Sequence, residues 1–237
     1  MQTSFARDML TRTQEGAAAL VRAVRPAVTG RDHLTLGALA AGESAAWSGL
    51  FTWRALGSAT TVAAPVLLAL RPDCSPATRV GLIAAAVGQA AKRGTGAAPA
   101  QPTALGVASV SAQYAAFAWQ LRESHNDATG WGLRVGAWAA GGALARTRSE
   151  RLATATAGVP AAALSALAGD PALRATDATQ GLSHGANLLL VSEAATVART
   201  RLAQHPAAGR LLAAGQSAAQ TVGLVLLVDG LARRGRR

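Results

Sequence analysis

Cysteine is nearly absent from this 237-residue chain: Cys74 stands alone, which rules out an intrachain disulfide and any metal cluster built on thiolates. Histidine is scarce as well. His33, His125, His184 and His205 lie far apart without ligand spacing, so neither a metal nor another cofactor is expected. Aromatic residues make up only 4% of the chain, and 12 acidic residues face 23 basic ones, for a formal net charge of +11. That charge would suit nucleic acid, but no zinc-finger spacing, compact basic helix or basic–aromatic interleaving accompanies it. No nucleic-acid partner is expected. A cleavable leader is not expected either, because residues 1–30 carry arginines and no long apolar core near the start. Internal repeats are not evident.

What the chain does have is apolar length. Half of its residues are apolar, mostly Ala with Val and Leu, and the mean hydropathy is +0.23. Eight apolar stretches cover 34–50, 56–70, 79–91, 104–121, 131–145, 152–168, 181–198 and 211–231. Several fall short of the ~20 residues of a full crossing. Ala is nearly neutral for insertion, so such spans must rely on neighbouring helices. A soluble bundle would spread charges at i, i+4 along exposed faces. Here they gather between the stretches, at turn signals such as 71–73, 94–102, 125–127, 169–171 and 205–206.

The expected architecture is therefore an all-α polytopic integral membrane bundle of eight transmembrane helices over 34–231. A basic N-terminal tail, amphipathic or flexible, precedes it over 1–33, and a basic tail follows over 232–237. An even span count places both termini on one side. Arg7, Arg12, Arg22, Arg25 and Arg31 with Arg233, Arg234, Arg236 and Arg237 make that side cytoplasmic, in a bacterial cell membrane. Arg146, Arg148, Arg151, Arg199, Arg201 and Arg210 would then face outward. Small pairs such as Gly81 and Ala85, or Gly132 and Gly136, allow close helix packing in lipid.

Polar side chains inside apolar stretches are the candidate functional groups: Glu43, Gln89, Gln113, Arg134, His184, Asn187, Glu193, Gln216 and Gln220, with Asp229 near an end. A charge at mid-membrane costs about 2.5–3.5 kcal/mol unless it meets a partner or a cavity. Glu43 and Glu193 are the candidate catalytic carboxyls, with Arg134 as their natural ion-pair partner. For each amide, an interhelical hydrogen bond competes with a substrate-binding role. His184, Asn187 and Val191 share a helix face by i, i+3, i+7 spacing. Tyr114 and Phe117, three apart, are candidates to line a pocket. If the helices over 34–50, 104–121 and 131–145 adjoin, these rings and Trp47 surround one cavity with Glu43.

The run Leu188-Leu189-Leu190-Val191-Ser192-Glu193-Ala194, followed by a basic loop and Gln216-Ser217-Ala218-Ala219-Gln220, resembles the end of the YhhN-like lysoplasmalogenase family. In that pattern an apolar run ends in Ser-Asp and a later helix carries Tyr and an Ala-Gln pair. Ser192 and Ala219-Gln220 fit, while Glu193 stands for Asp and Gln216 for Tyr. Ala64-Pro65-Val66-Leu67-Leu68-Ala69-Leu70 resembles the second helix, with Thr60 where a Lys is usual. Gln89 lies at the family's Gly-Asp, and Tyr114-Ala115-Ala116-Phe117 at its His-x-x-Tyr. The order of these segments agrees over about residues 34–231.

The resemblance implies a membrane enzyme that cleaves the vinyl ether of lysoplasmalogens to an aldehyde and a glycerophospho-alcohol. Such hydrolysis needs a Brønsted acid in an apolar pocket and a group to orient water. Replacement of Asp by Gln89 and of His by Tyr114 removes the family's usual pair, so Glu43 or Glu193 must act instead. Gln89, Tyr114, Phe117, Trp47, Ser192, Gln216, Gln220, His184 and Asn187 are the candidate substrate-binding residues. Two alternatives stand beside this one. A carboxyl among Trp47, Tyr114 and Phe117 would suit a membrane terpene cyclase that protonates an isoprenoid and stabilises the cation on aromatic faces. A relative without activity would bind lipid only. The partners expected are a lipid-like or isoprenoid small molecule and the membrane itself.

Overall fold

In the computed structural model, residues 2–93, 102–145, 147–202 and 204–236 are described. They form ten helices and no strand: α1 (Gln2–Val28), α2 (His33–Phe51), α3 (Arg54–Ala69), α4 (Pro76–Arg93), α5 (Ala104–Gln120), α6 (Ala128–Leu144), α7 (Arg148–Ala168), α8 (Pro171–Arg174), α9 (Gln180–Arg201) and α10 (Pro206–Arg234). The connection 94–101, Arg146 and Arg237, read above as loop and tail, lie outside the described residues. Helices stand at all eight apolar stretches. The N-terminal segment is also helical over Gln2–Val28 and packs by Ala19 and Ala23 on the main body.

Local chemistry explains where the helices start. Asp32 accepts the Thr35 N–H at 2.9 Å ahead of α2, Thr103 that of Gly106 at 3.1 Å ahead of α5, and Asp127 that of Gly130 at 2.6 Å ahead of α6. A reciprocal Thr147–Glu150 capping box opens α7. Proline, which needs no partner for a missing N–H, begins α4, α8 and α10. Thr52 closes α2 with φ 63°, in the left-handed region that a β-branched residue enters only at a cost.

Seven helices close into a ring. α2 packs on α3, α3 on α4, α4 on α5, α5 on α7, α7 on α9, α9 on α10, and α10 back on α2. α6 lies outside against α7, and α1 outside against α9, α10 and α2. The tightest approach is between α9 and α10. A Cβ on Gly185 would sit 2.7 Å from the Gly223 carbonyl oxygen, so no larger residue fits without moving backbone. Gly42 gives α2 the same close access to the Thr221 side chain on α10. Leu68, Leu82, Tyr114, Phe117, Leu164, Leu189 and Leu224 are fully buried in the core.

Among the described residues, only α10 is long and apolar enough to cross a membrane, and 61% of its most apolar window is buried inside the protein. The expected eight separate crossings are thus not met by length and composition. The other helices are shorter or diluted with Ala, Gly, Thr and Arg, which lowers their hydropathy below that of a self-sufficient span.

At one end of the ring, charges are mutually satisfied. Arg71 donates to Asp73 through Nη2 at 2.8 Å, lies 3.2 Å from Asp32, and donates to the Thr35 hydroxyl at 2.8 Å. Arg236 reaches the same Asp73 carboxylate at 2.8 Å, tying the C-terminus to the α3–α4 turn. The Arg71 hydrogen bond, with the charges of Arg71 and Arg236 behind it, holds the Asp73 carboxyl below its ordinary pKa against the opposing effect of burial. Next to it, burial pushes the Cys74 thiol up to about 11.

Candidate active site

The opposite end of the ring is open. A cavity of about 1070 Å³ begins there, among the C-terminal ends of α2, α4, α6 and α9 and the N-terminal ends of α3, α5, α7 and α10. Its deeper wall carries Gln89 from α4, Val110 from α5, Ala161 from α7, Leu190 and Glu193 from α9, and Gln216 and Ser217 from α10. Trp53 and Trp138 lie nearer the mouth with Arg54, Arg199, His205 and Arg210.

Glu193 is the carboxyl on the deeper wall of the cavity. It is half-buried on α9 and accepts a 2.8 Å hydrogen bond from the hydroxyl of Tyr114, a fully buried residue of α5. The bond spans the ring interior between two helices that are not ring neighbours. Next to it in sequence, the buried Ser192 hydroxyl donates to the Gln216 carbonyl oxygen at 3.3 Å. The Gln216 amide oxygen accepts from Arg199 Nη1 at 3.0 Å, so this amide links the deep wall to the basic mouth. Gln89 is buried on the same cavity wall. Gln220, one turn beyond Gln216, is also buried but is not part of the lining, and both its amide atoms lack a hydrogen-bond partner among the described residues.

Several expected residues fall elsewhere. Glu43 is exposed on the outer face of α2, where its carboxylate accepts the Trp47 indole N–H at 3.0 Å. Trp47 itself stacks outward on Phe51, ring centroids 5.8 Å apart. The α2 helix packs on α3 and α10 rather than on α5 and α6, so these aromatics do not surround a cavity with Glu43. Phe117 is buried over Gly81 in the α4–α5 seam. His184 turns toward α1, 3.8 Å from Glu15. Asn187 accepts from Ser165 at 2.7 Å. Arg134 pairs with neither glutamate; it donates to Ser165 at 3.3 Å and to the Gly130 carbonyl at 2.9 Å.

The cations at the mouth were visible in the sequence only as loop charges. Arg199, Arg54 and Arg210 flank helix ends, and nothing local says that these ends converge on one opening. Among the described residues, no group of His, Cys, Asp and Glu has the arrangement of a metal site. The chain matches no known family description, no curated protein and no solved structure.

Proposed function

We propose that this chain is a membrane-embedded acid–base enzyme of lysoplasmalogenase type, acting on a lipid-like substrate through Glu193. The carrying observation is the Tyr114–Glu193 hydrogen bond on the wall of a cavity that opens at one end of the ring. The order of the segments around Ser192, Gln216 and Gln220 supports the family reading.

Embedding of the eight-helix body in lipid is supported by what it presents outward. Leu36, Val66, Ile83, Leu133 and Val159 are exposed large apolar residues, each on a different helix. A solvated surface rarely carries so many around its whole girth, whereas hydrocarbon accepts them. Proteins of this kind resist extraction by alkaline carbonate and dissolve in detergent. Release by carbonate would remove the membrane part of the proposal.

In the reaction, protonated Glu193 transfers its proton to the vinyl ether carbon β to oxygen, the π pair forming the new C–H bond. An oxocarbenium ion results. Water adds to it and returns a proton to the Glu193 carboxylate, and the hemiacetal collapses to aldehyde and alcohol. Tyr114 stabilises the carboxylate left after the first step by donating to it. Gln89 has the chemistry to orient the attacking water, since an amide both donates and accepts.

The test is aldehyde release from a vinyl ether lysolipid by purified protein. Glu193→Gln is expected to lower the rate by about 10²–10⁴-fold, the usual contribution of a positioned acid. Glu43→Gln leaves it unchanged. Absence of aldehyde from the wild-type protein, or full activity in Glu193→Gln, refutes the proposal. The aromatic enclosure of Glu43 on which the cyclase alternative rested is not formed.

A further inference from the structure

Both ends of the ring carry arginines, and at the closed end Arg79 and Arg234 donate to backbone carbonyls and make no ion pair among the described residues, but only the opposite end opens on the cavity. At the closed end, Arg71 pairs with Asp32 and Asp73, Arg233 with Asp229, Arg122 with Glu123, and Arg236 with Asp73. At the cavity mouth, Arg54, Arg199 and Arg210 have no ion-pair partner among the described residues. The two carboxylates of the lining do not neutralise them. Glu150 is engaged with the Thr147 N–H in the capping box at 3.2 Å, and Glu193 lies deeper with Tyr114. Unpaired guanidinium groups at the entrance to a cavity walled mostly by apolar residues suit a phosphate, because their fixed forks of donors match its oxygens. Arg199 is the anchored member, half-buried and braced by Gln216.

We infer that the cavity takes a single-chain amphiphile whose head carries a net negative phosphate, held at the mouth by Arg199, Arg210 and Arg54 with the chain running inward past Glu193. A zwitterionic head is disfavoured, because its ammonium would meet the same three cations. This inference rests on the proposed function for the choice of cavity, not for the chemistry performed there.

The experiment measures binding to the detergent-solubilised full-length protein by native mass spectrometry or calorimetry. Its probes are a single-chain glycerol lipid with a phosphate monoester head, the same lipid with phosphocholine, and inorganic phosphate. The phosphate monoester lipid is expected to bind at least tenfold tighter than its phosphocholine counterpart, with the margin shrinking as salt is raised. Arg199→Gln is expected to remove most of that preference, and Arg210→Gln, at an exposed position, to reduce it without disturbing the fold. Equal affinity for the two heads, or a preference untouched by both variants, overturns the inference. Inorganic phosphate binding as tightly as the lipid overturns its amphiphile part. Binding is read without turnover, so the outcomes separate. A protein that shows the preference but releases no aldehyde loses the proposed reaction and keeps this site. One that hydrolyses both head-group classes equally well keeps the reaction and loses the site.

Discussion

Tyr114 and Glu193, 79 positions apart in the chain, meet through a 2.8 Å hydrogen bond inside the helix ring. The tyrosine is fully buried and the carboxylate faces the cavity. Because they act as one unit, their mutational effects should not add. Tyr114→Phe is expected to slow aldehyde release by about tenfold, since one donor to the carboxylate is lost. In the Glu193→Gln background the same change should have little further effect. Rates of the two single variants and the double variant check this; additive losses would separate the two residues.

Asp73 makes stability depend on acidity. Its pKa is lowered in the folded protein, chiefly by the hydrogen bond from Arg71, so its contribution is fully present above the unfolded value near 4 and disappears as pH falls through the lower folded value. Thermal unfolding in detergent should show wild type losing ground to Asp73→Asn below about pH 4. At neutral pH the variant should be less stable by about 1–2 kcal/mol, a charge-assisted hydrogen bond at a partly exposed site.

Gly185→Ala tests the α9–α10 contact. Its Cβ would lie 2.7 Å from the Gly223 carbonyl oxygen and 2.8 Å from the Leu227 nitrogen, both backbone atoms that cannot swing aside. A loss of about 1–3 kcal/mol is expected from the forced separation. Gly136→Ala, at a site with open space around it, should leave the melting temperature unchanged.

Gln113 and Gln220 bury amides whose polar atoms lack hydrogen-bond partners among the described residues. An unsatisfied buried group costs about 1–3 kcal/mol, so replacement by Met, of similar length and without that need, should raise stability. Gln113 lies on the α5 face that meets α4, between Val110 and Phe117, and Gln220 is not part of the cavity lining. Activity should stay within about threefold of wild type in either variant. A collapse of activity in Gln220→Met would bring that amide into the site.

Much of this molecule is legible in order along the chain. Caps at Asp32, Thr103, Asp127 and Thr147, and prolines at 76, 171 and 206, mark helix ends that the apolar stretches had already bracketed. These signals are local, set by N–H groups within a turn of the cap. Membership of the site is not local. Glu43 and Glu193 each sit within an apolar run, yet one faces out beside Trp47 and the other faces in toward Tyr114. An Ala-rich helix has no strongly apolar stripe to declare its inner face, so periodicity could not separate them.

Composition and spacing therefore settle that this chain is helical, where eight of its helices lie, and which few polar groups must find a home among apolar neighbours, but not the helix α1 over Gln2–Val28. The choice among those groups belongs to the closure of the ring. Gly185 and Gly223, Gly42 and Thr221, bring backbones close enough to fix each helix's rotation. That rotation turns Glu193 and Gln216 inward and Glu43 outward, because a side chain's direction depends on contacts many residues away along the chain.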